Sequence, residues 1–131
     1  MKLIIDRKTW IRGEGEKYSF MYRSADQHMC CLGFMADQCG LSKNRMSDVD
    51  SPCSVDIDPF ILKTNFSLLL NNNNHFNSQL AEKLMAINDL ELNNIHDANL
   101  ANLPVLKSEE EREKMLIEQF AGHNIYVEFI N

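Results

Sequence analysis

The sequence predicts an α+β domain: a small, mostly antiparallel sheet holding both chain ends, with three or four helices packed on one face. Three observations carry that prediction. Ile125, Val127 and Phe129 alternate with Tyr126, Glu128 and Ile130, the period of a strand. Leu80, Leu84 and Ile87 recur at i, i+4 and i+7, one face of a helix. Ser108-Glu109-Glu110-Glu111 opens another helix with a hydroxyl N-cap, a carboxylate three residues on, and acidic groups against the positive end of the helix dipole. At 131 residues the chain fits one domain, 1–131, able to bury roughly two-thirds of the surface its unfolded form exposes.

The elements follow in order, without a linker or an internal repeat. Lys2–Asp6 reads as a short strand with Leu3, Ile4 and Ile5 covered on both faces. Asp6 is placed to cap a short helix over Arg7–Arg12 that Gly13 ends. Lys17–Arg23 alternates as a strand, with Tyr18, Phe20 and Tyr22 on one face. Ser24 and Gln27 form a capping box for a helix that Gly40 stops, and Cys31, Phe34, Met35 and Cys39 make its core stripe. Ser42 caps a short helical turn, and Asp48–Pro52 is loop.

Ser54–Ile57 and Phe60–Leu62 flank Pro59 as edge strand or irregular structure, and Phe66–Leu70 fits either a buried strand or a helix start. Asn71–Asn74 is a polar loop. The helix through Leu80 ends at Asn88-Asp89, and 90–107 is a long connection with Pro104. The Ser108 helix runs to Ala121, buries Met115, Leu116 and Phe120, and stops at Gly122. The last strand survives only if it pairs, beside Lys2–Asp6 or Lys17–Arg23.

Charge is unevenly spread. Residues 1–23 carry six basic and three acidic side chains, a net of +3, and the remainder carries a net of −9. That acidity argues against general nucleic-acid binding, which rests on cations displacing counterions, and favours a basic protein surface as partner. No apolar run approaches the ~20 residues a membrane span needs. The start is too short for a signal peptide, so the four cysteines are expected as thiols in a cytoplasmic setting.

Three of those cysteines lie within Ser24–Gly40. Zinc would need knuckles of the C-x₂₋₄-C or H-x₃₋₅-H kind, which are absent, and adjacent Cys30 and Cys31 point about 100° apart on a helix. Buried cysteine as a small hydrophobe is the better reading, and no metal or other cofactor is expected. A thiol nucleophile would need a low pKa beside a base; Cys30 at the first turn is placed for the helix dipole, but His75, His96 and His123 are remote in sequence and nothing fixes them near a cysteine. Arg12-Gly13-Glu14-Gly15 is neither a dinucleotide fingerprint nor a P-loop. Asp48, Asp50, Asp56 and Asp58 form two D-x-D pairs without the EF-hand order, so they read as a solvated acidic loop and as the best surface for a basic partner. Trp10, with Arg12, is core or an interaction anchor. The candidate partner-binding residues are therefore Trp10, Arg12, Asp48, Asp50, Asp56 and Asp58, with no catalytic residue among them.

R-G-E-G at 12–15, M-C-C-L-G-F at 29–34, I-N-D at 87–89 and the ending N-I-Y-V-E-F-I together resemble a family of small phage and prophage proteins. Its members share the C-C-L-G core and a trailing N-D element; residues 53–78 match nothing in it. The resemblance implies a phage or prophage setting and supplies no catalytic residues. Small phage proteins of this kind commonly bind and inhibit host machinery, restriction or CRISPR-type defence included. Three functions follow: a non-catalytic binder of a host protein in the host cytoplasm, which is favoured; a small-ligand or nucleotide sequestering protein using Arg7, Arg12, Lys17 or Arg23 with Tyr18 or Tyr22; and a cysteine-based metal-binding module or enzyme.

Overall fold

Leu3 and Ile5 are wholly buried while Ile4 between them is 39% exposed, so the first strand has one covered face and one open one. In a computed structural model the chain is described over residues 2–14, 19–50, 78–92, 106 and 108–131. Along it run β1 (Lys2–Asp6), α1 (Cys31–Gln38), α2 (Lys43–Met46), α3 (Ser78–Asp89), α4 (Glu109–Ala121) and β2 (Tyr126–Ile130). The α+β expectation holds, and the terminal strands do share a sheet. Its direction does not hold. β1 and β2 pair in parallel, with Lys2 opposite Tyr126 and Asp6 opposite Ile130, and the described sheet has these two strands alone. The period-2 pattern fixes which side chains face inward and is the same for either direction; α4, turning through Gly122–Asn124 and closing with Ile125 N–H to the Phe120 carbonyl, decides which way β2 runs.

Three local expectations are corrected. Residues 7–12 form no helix: Asp6 closes a tight turn, its carboxylate accepting from Lys8 N at 3.0 Å and its carbonyl from Thr9 N at 3.1 Å. The chain then runs extended against the Met29 region, with Ile11 N to the Met29 carbonyl and Met29 N to the Thr9 carbonyl. The described part of the Lys17–Arg23 strand makes only single bridges, Tyr22 with Ser47 and Arg23 with His28. The cysteine helix begins at Cys31, not at Ser24. Its capping box fails because Ser24 Oγ donates to Asp48 at 2.6 Å and Gln27 sits at φ 63°, a turn conformation.

Where start and stop signals are local, they are obeyed. Ser108 Oγ accepts from Glu111 N at 3.2 Å, and α4 ends at Gly122. Gly40, at φ 102°, follows the end of α1. Ser42 holds the N-cap position of α2 without closing a side-chain hydrogen bond.

α1 is buried on every side over Cys31–Ala36, a wider contact than the stripe of Cys31, Phe34, Met35 and Cys39, all four of which are buried. Leu84 and Ile87 of α3 and Leu116 and Phe120 of α4 close the same cluster, with Met115 at its margin. Full burial of each such large side chain stabilises by about 1.5–3 kcal/mol. Ser54–Ile57, Phe60–Leu62, Phe66–Leu70, Asn71–Asn74 and most of 90–107 lie outside the described residues, as do Asp56 and Asp58. No described helix is long and apolar enough to cross a membrane.

Candidate functional site

Asn88 at the C-terminal end of α3 is wholly buried and joins segments far apart in sequence. Its Oδ1 accepts from Trp10 Nε1 at 2.8 Å and from Cys31 N at 3.1 Å. Its Nδ2 donates to the Ile11 carbonyl at 3.0 Å and to Asp89 Oδ1 at 2.9 Å. Asp89, 5% exposed, accepts from both the Ser19 amide and the Ser19 hydroxyl. Burial raises the Asp89 carboxyl above its ordinary range, against the hydrogen bonds from Ser19 and Asn88 that lower it.

A second buried group completes the knot. Arg112, 0% exposed, reaches from α4 to the end of α3 and donates to the carbonyls of Ile87 (2.8 Å), Asn88 (2.7 Å) and Leu90 (2.5 Å). It thereby satisfies carbonyls that the helix end leaves open. Gly13 lies against it at φ +71°, its N–H bonded to the Asn88 carbonyl; a Cβ there would meet Arg112 Nη2 at 3.3 Å. The R-G, C-C-L-G and N-D segments therefore meet at one place, and that place is interior.

The thiols at this junction are sealed. Cys30, Cys31 and Cys39 are outside any disulfide and wholly buried. Burial pushes the Cys30 thiol up to about 12 and Cys31 well above its ordinary value, so desolvation outweighs any help from the first turn of α1. A nucleophile must be thiolate and reachable; these are neither. In the native protein at pH 8, Cys30 and Cys31 are expected to escape a thiol-alkylating reagent that labels both after denaturation. Peptide mapping would read this, and native labelling at the rate of the unfolded chain would contradict it. Among the described residues no group of three His, Cys, Asp or Glu is arranged to hold a metal ion.

The N-terminal arginines Arg7, Arg12 and Arg23 are engaged by carboxylates. Arg7 forks onto Glu113 at 2.7 and 2.9 Å, which raises its pKa, and lies 5.7 Å from the Phe129 ring centre. Arg12 stacks 4.5 Å over Trp10 and bonds to Glu109 at 3.0 Å. Trp10 is 4% exposed, so the structure brings this pair together as a covered core edge instead of an open anchor. Arg23 forks onto Asp26 and reaches Glu14; the fork holds Asp26 down to about 2.

The acidic segment lies at the surface beside that last group. Asp48, at φ 55°, accepts from the Ser24 amide at 3.0 Å and the Ser24 hydroxyl, which hold its carboxyl below the usual range. Asp50 is exposed two residues on. Glu14, Asp26, Asp48 and Asp50 are thus exposed carboxylates on neighbouring turns, with His28 Nδ1 3.4 Å from Asp26. No hydrogen bond or ion pair among the described residues joins this group to Trp10 and Arg12.

Sequence reasoning missed Ser19, Asn88, Asp89 and Arg112 as a unit. Asn88-Asp89 reads as a helix stop, Arg112 stands among glutamates, and nothing local marks a polar side chain for burial. The fold and its junction define an α+β protein built on a buried polar knot, with thiols and arginines already committed within it. No family model, curated protein or solved structure matches the chain.

Proposed function

We propose that this chain is a small acidic phage or prophage protein that works in the host cytoplasm by binding a host protein without catalysis, blocking a defence system of the restriction or CRISPR type. The observation that carries the reading is the contrast between interior and surface. The thiols are covered and Arg7, Arg12 and Arg23 are ion-paired, while among the described residues no ion pair neutralises the exposed carboxylates of Asp48 and Asp50. Such a face favours encounter with a basic protein surface, where charge acts chiefly on the rate of association. The phage setting and the defence target rest on the resemblance of the C-C-L-G and N-D segments. The sequestering and metal-binding alternatives gain nothing, since Arg7, Arg12 and Arg23 are paired and Cys30 and Cys31 are covered.

Affinity capture of the tagged chain from host lysate, with mass spectrometry and elemental analysis of one eluate, tests the reading. One host protein near stoichiometry is expected. Asp50→Lys, at an exposed site, should weaken that capture by about tenfold, mostly through slower association. Recovery of zinc or a small molecule in place of a protein would overturn the proposal.

A further inference from the structure

The two edges of the sheet are treated differently. Arg7 N donates to the Ile130 carbonyl, so odd-numbered residues of β1 and even-numbered residues of β2 turn their backbone groups toward each other. Ile4 therefore faces the far edge of β1, and there the Gln38 carboxamide closes it, accepting from Ile4 N at 2.9 Å and donating to the Ile4 carbonyl at 2.6 Å. On β2 the groups facing outward are those of Val127 and Phe129, and no described strand pairs with them. The open face beside that edge carries Tyr126, Ile130 and Ile4, exposed by 71%, 37% and 39%. Two-stranded sheets are marginal alone, and parallel sheets are normally covered on both faces.

We infer that β2 pairs antiparallel with β2 of a second copy across a two-fold axis at Glu128, giving a four-stranded sheet in the order β1-β2-β2-β1. In that register Val127 and Phe129 exchange both N–H and C=O bonds with Phe129 and Val127 of the second copy. Tyr126 lies opposite Ile130 of the second copy, an aromatic–aliphatic cross-strand pair on the open face. The two Glu128 residues meet at the axis, each neutralised by its own Lys2 at 2.5 Å. That local neutrality is what lets two chains of net charge −6 meet here. A second copy is favoured over a foreign strand because its edge supplies this complement by symmetry. The Gln38 clamp then stops growth at the outer edges, so the assembly closes as a dimer instead of extending as a fibre.

Sedimentation equilibrium should give twice the 15.1 kDa chain mass. In a Cys53→Ser background, Glu128→Cys should form a covalent dimer under mild oxidation, because residues at the axis have Cα atoms about 4.5 Å apart. Lys2→Cys, exposed but away from the axis, should not. Tyr126→Lys with Ile130→Lys should give a folded monomer by circular dichroism. A wild-type monomer at every concentration reached, a dimer that Glu128→Cys does not trap, or a monomer that instead binds a host protein through β2 would each overturn the inference.

Discussion

Gly33→Ala is expected to abolish or severely weaken folding, although alanine is the better helix former. Helix propensity alone would favour the change by about 1 kcal/mol. Packing decides otherwise. A Cβ at Gly33 would stand 1.8 Å from the Met21 carbonyl oxygen, 2.8 Å from its carbon and 3.0 Å from Met29 Cβ. The obstacle is backbone, and that backbone is pinned. Met21 N donates to the Val49 carbonyl, and Cys30 N, one residue before α1, donates to the Phe20 carbonyl. Neither α1 nor the Met21 segment can retreat without breaking those bonds in a buried region.

Overpacking usually costs about 1–3 kcal/mol, and a clash with fixed backbone belongs above that range, near the whole stability of a small domain. Gly122→Ala is the control, since its Cβ would meet nothing nearer than 3.5 Å and its φ of −59° suits any residue. Thermal unfolding followed by circular dichroism should show Gly122→Ala close to wild type and Gly33→Ala unfolded or lowered by more than about 10 °C. A Gly33→Ala chain that melts like wild type would refute the tight crossing of α1 over Met21.

What could be read in the sequence divides by the range of the interaction responsible. The start of α4 was legible because Ser108 bonds to Glu111, three residues away. The inward faces of α1 and β2 were legible because burial imprints its period on neighbours: Cys31, Met35 and Cys39 on one, Ile125, Val127 and Phe129 on the other. Ser24 defeated the same logic, since its hydroxyl is taken by Asp48, 24 residues on. Trp10 was ambiguous for a similar reason: its indole N–H is satisfied by Asn88, 78 residues away, and only that partner makes it interior. Of the candidate surface, Asp48 and Asp50 are legible as exposed acids, but the bracing role of Asp48 is not, because it depends on where the Ser24 turn is held. Strand direction was unreadable in principle, being set by how α4 delivers the chain to β1.

The buried arginine gives the second large effect, and two forces must be weighed to see its sign. Replacing a buried ionic group by an apolar one of similar volume is often neutral or stabilising, so Arg112→Met would be harmless if the pair with Glu109 were what mattered. It is not. Glu109 is 37% exposed at its side chain and keeps Arg12 at 3.0 Å, so deleting Arg112 leaves no stranded buried carboxylate. What it strands is backbone. The Ile87 and Leu90 carbonyls lose their Arg112 donors at the negative end of α3, while the Asn88 carbonyl keeps Gly13 N at 2.8 Å. Each orphaned buried group costs about 1–3 kcal/mol, so Arg112→Met is expected to lose about 3–5 kcal/mol with the side-chain volume kept. Arg112→Lys should fall between, because one ammonium cannot span carbonyls that a planar fork reaches together. Urea unfolding of the three chains, compared at constant m-value, reads the order directly. Equal stability of the Met variant and wild type would mean that Arg112 fills space and the end of α3 finds its donors elsewhere; the expected order would mean that α4 holds α3 in place through a cap lent across the core.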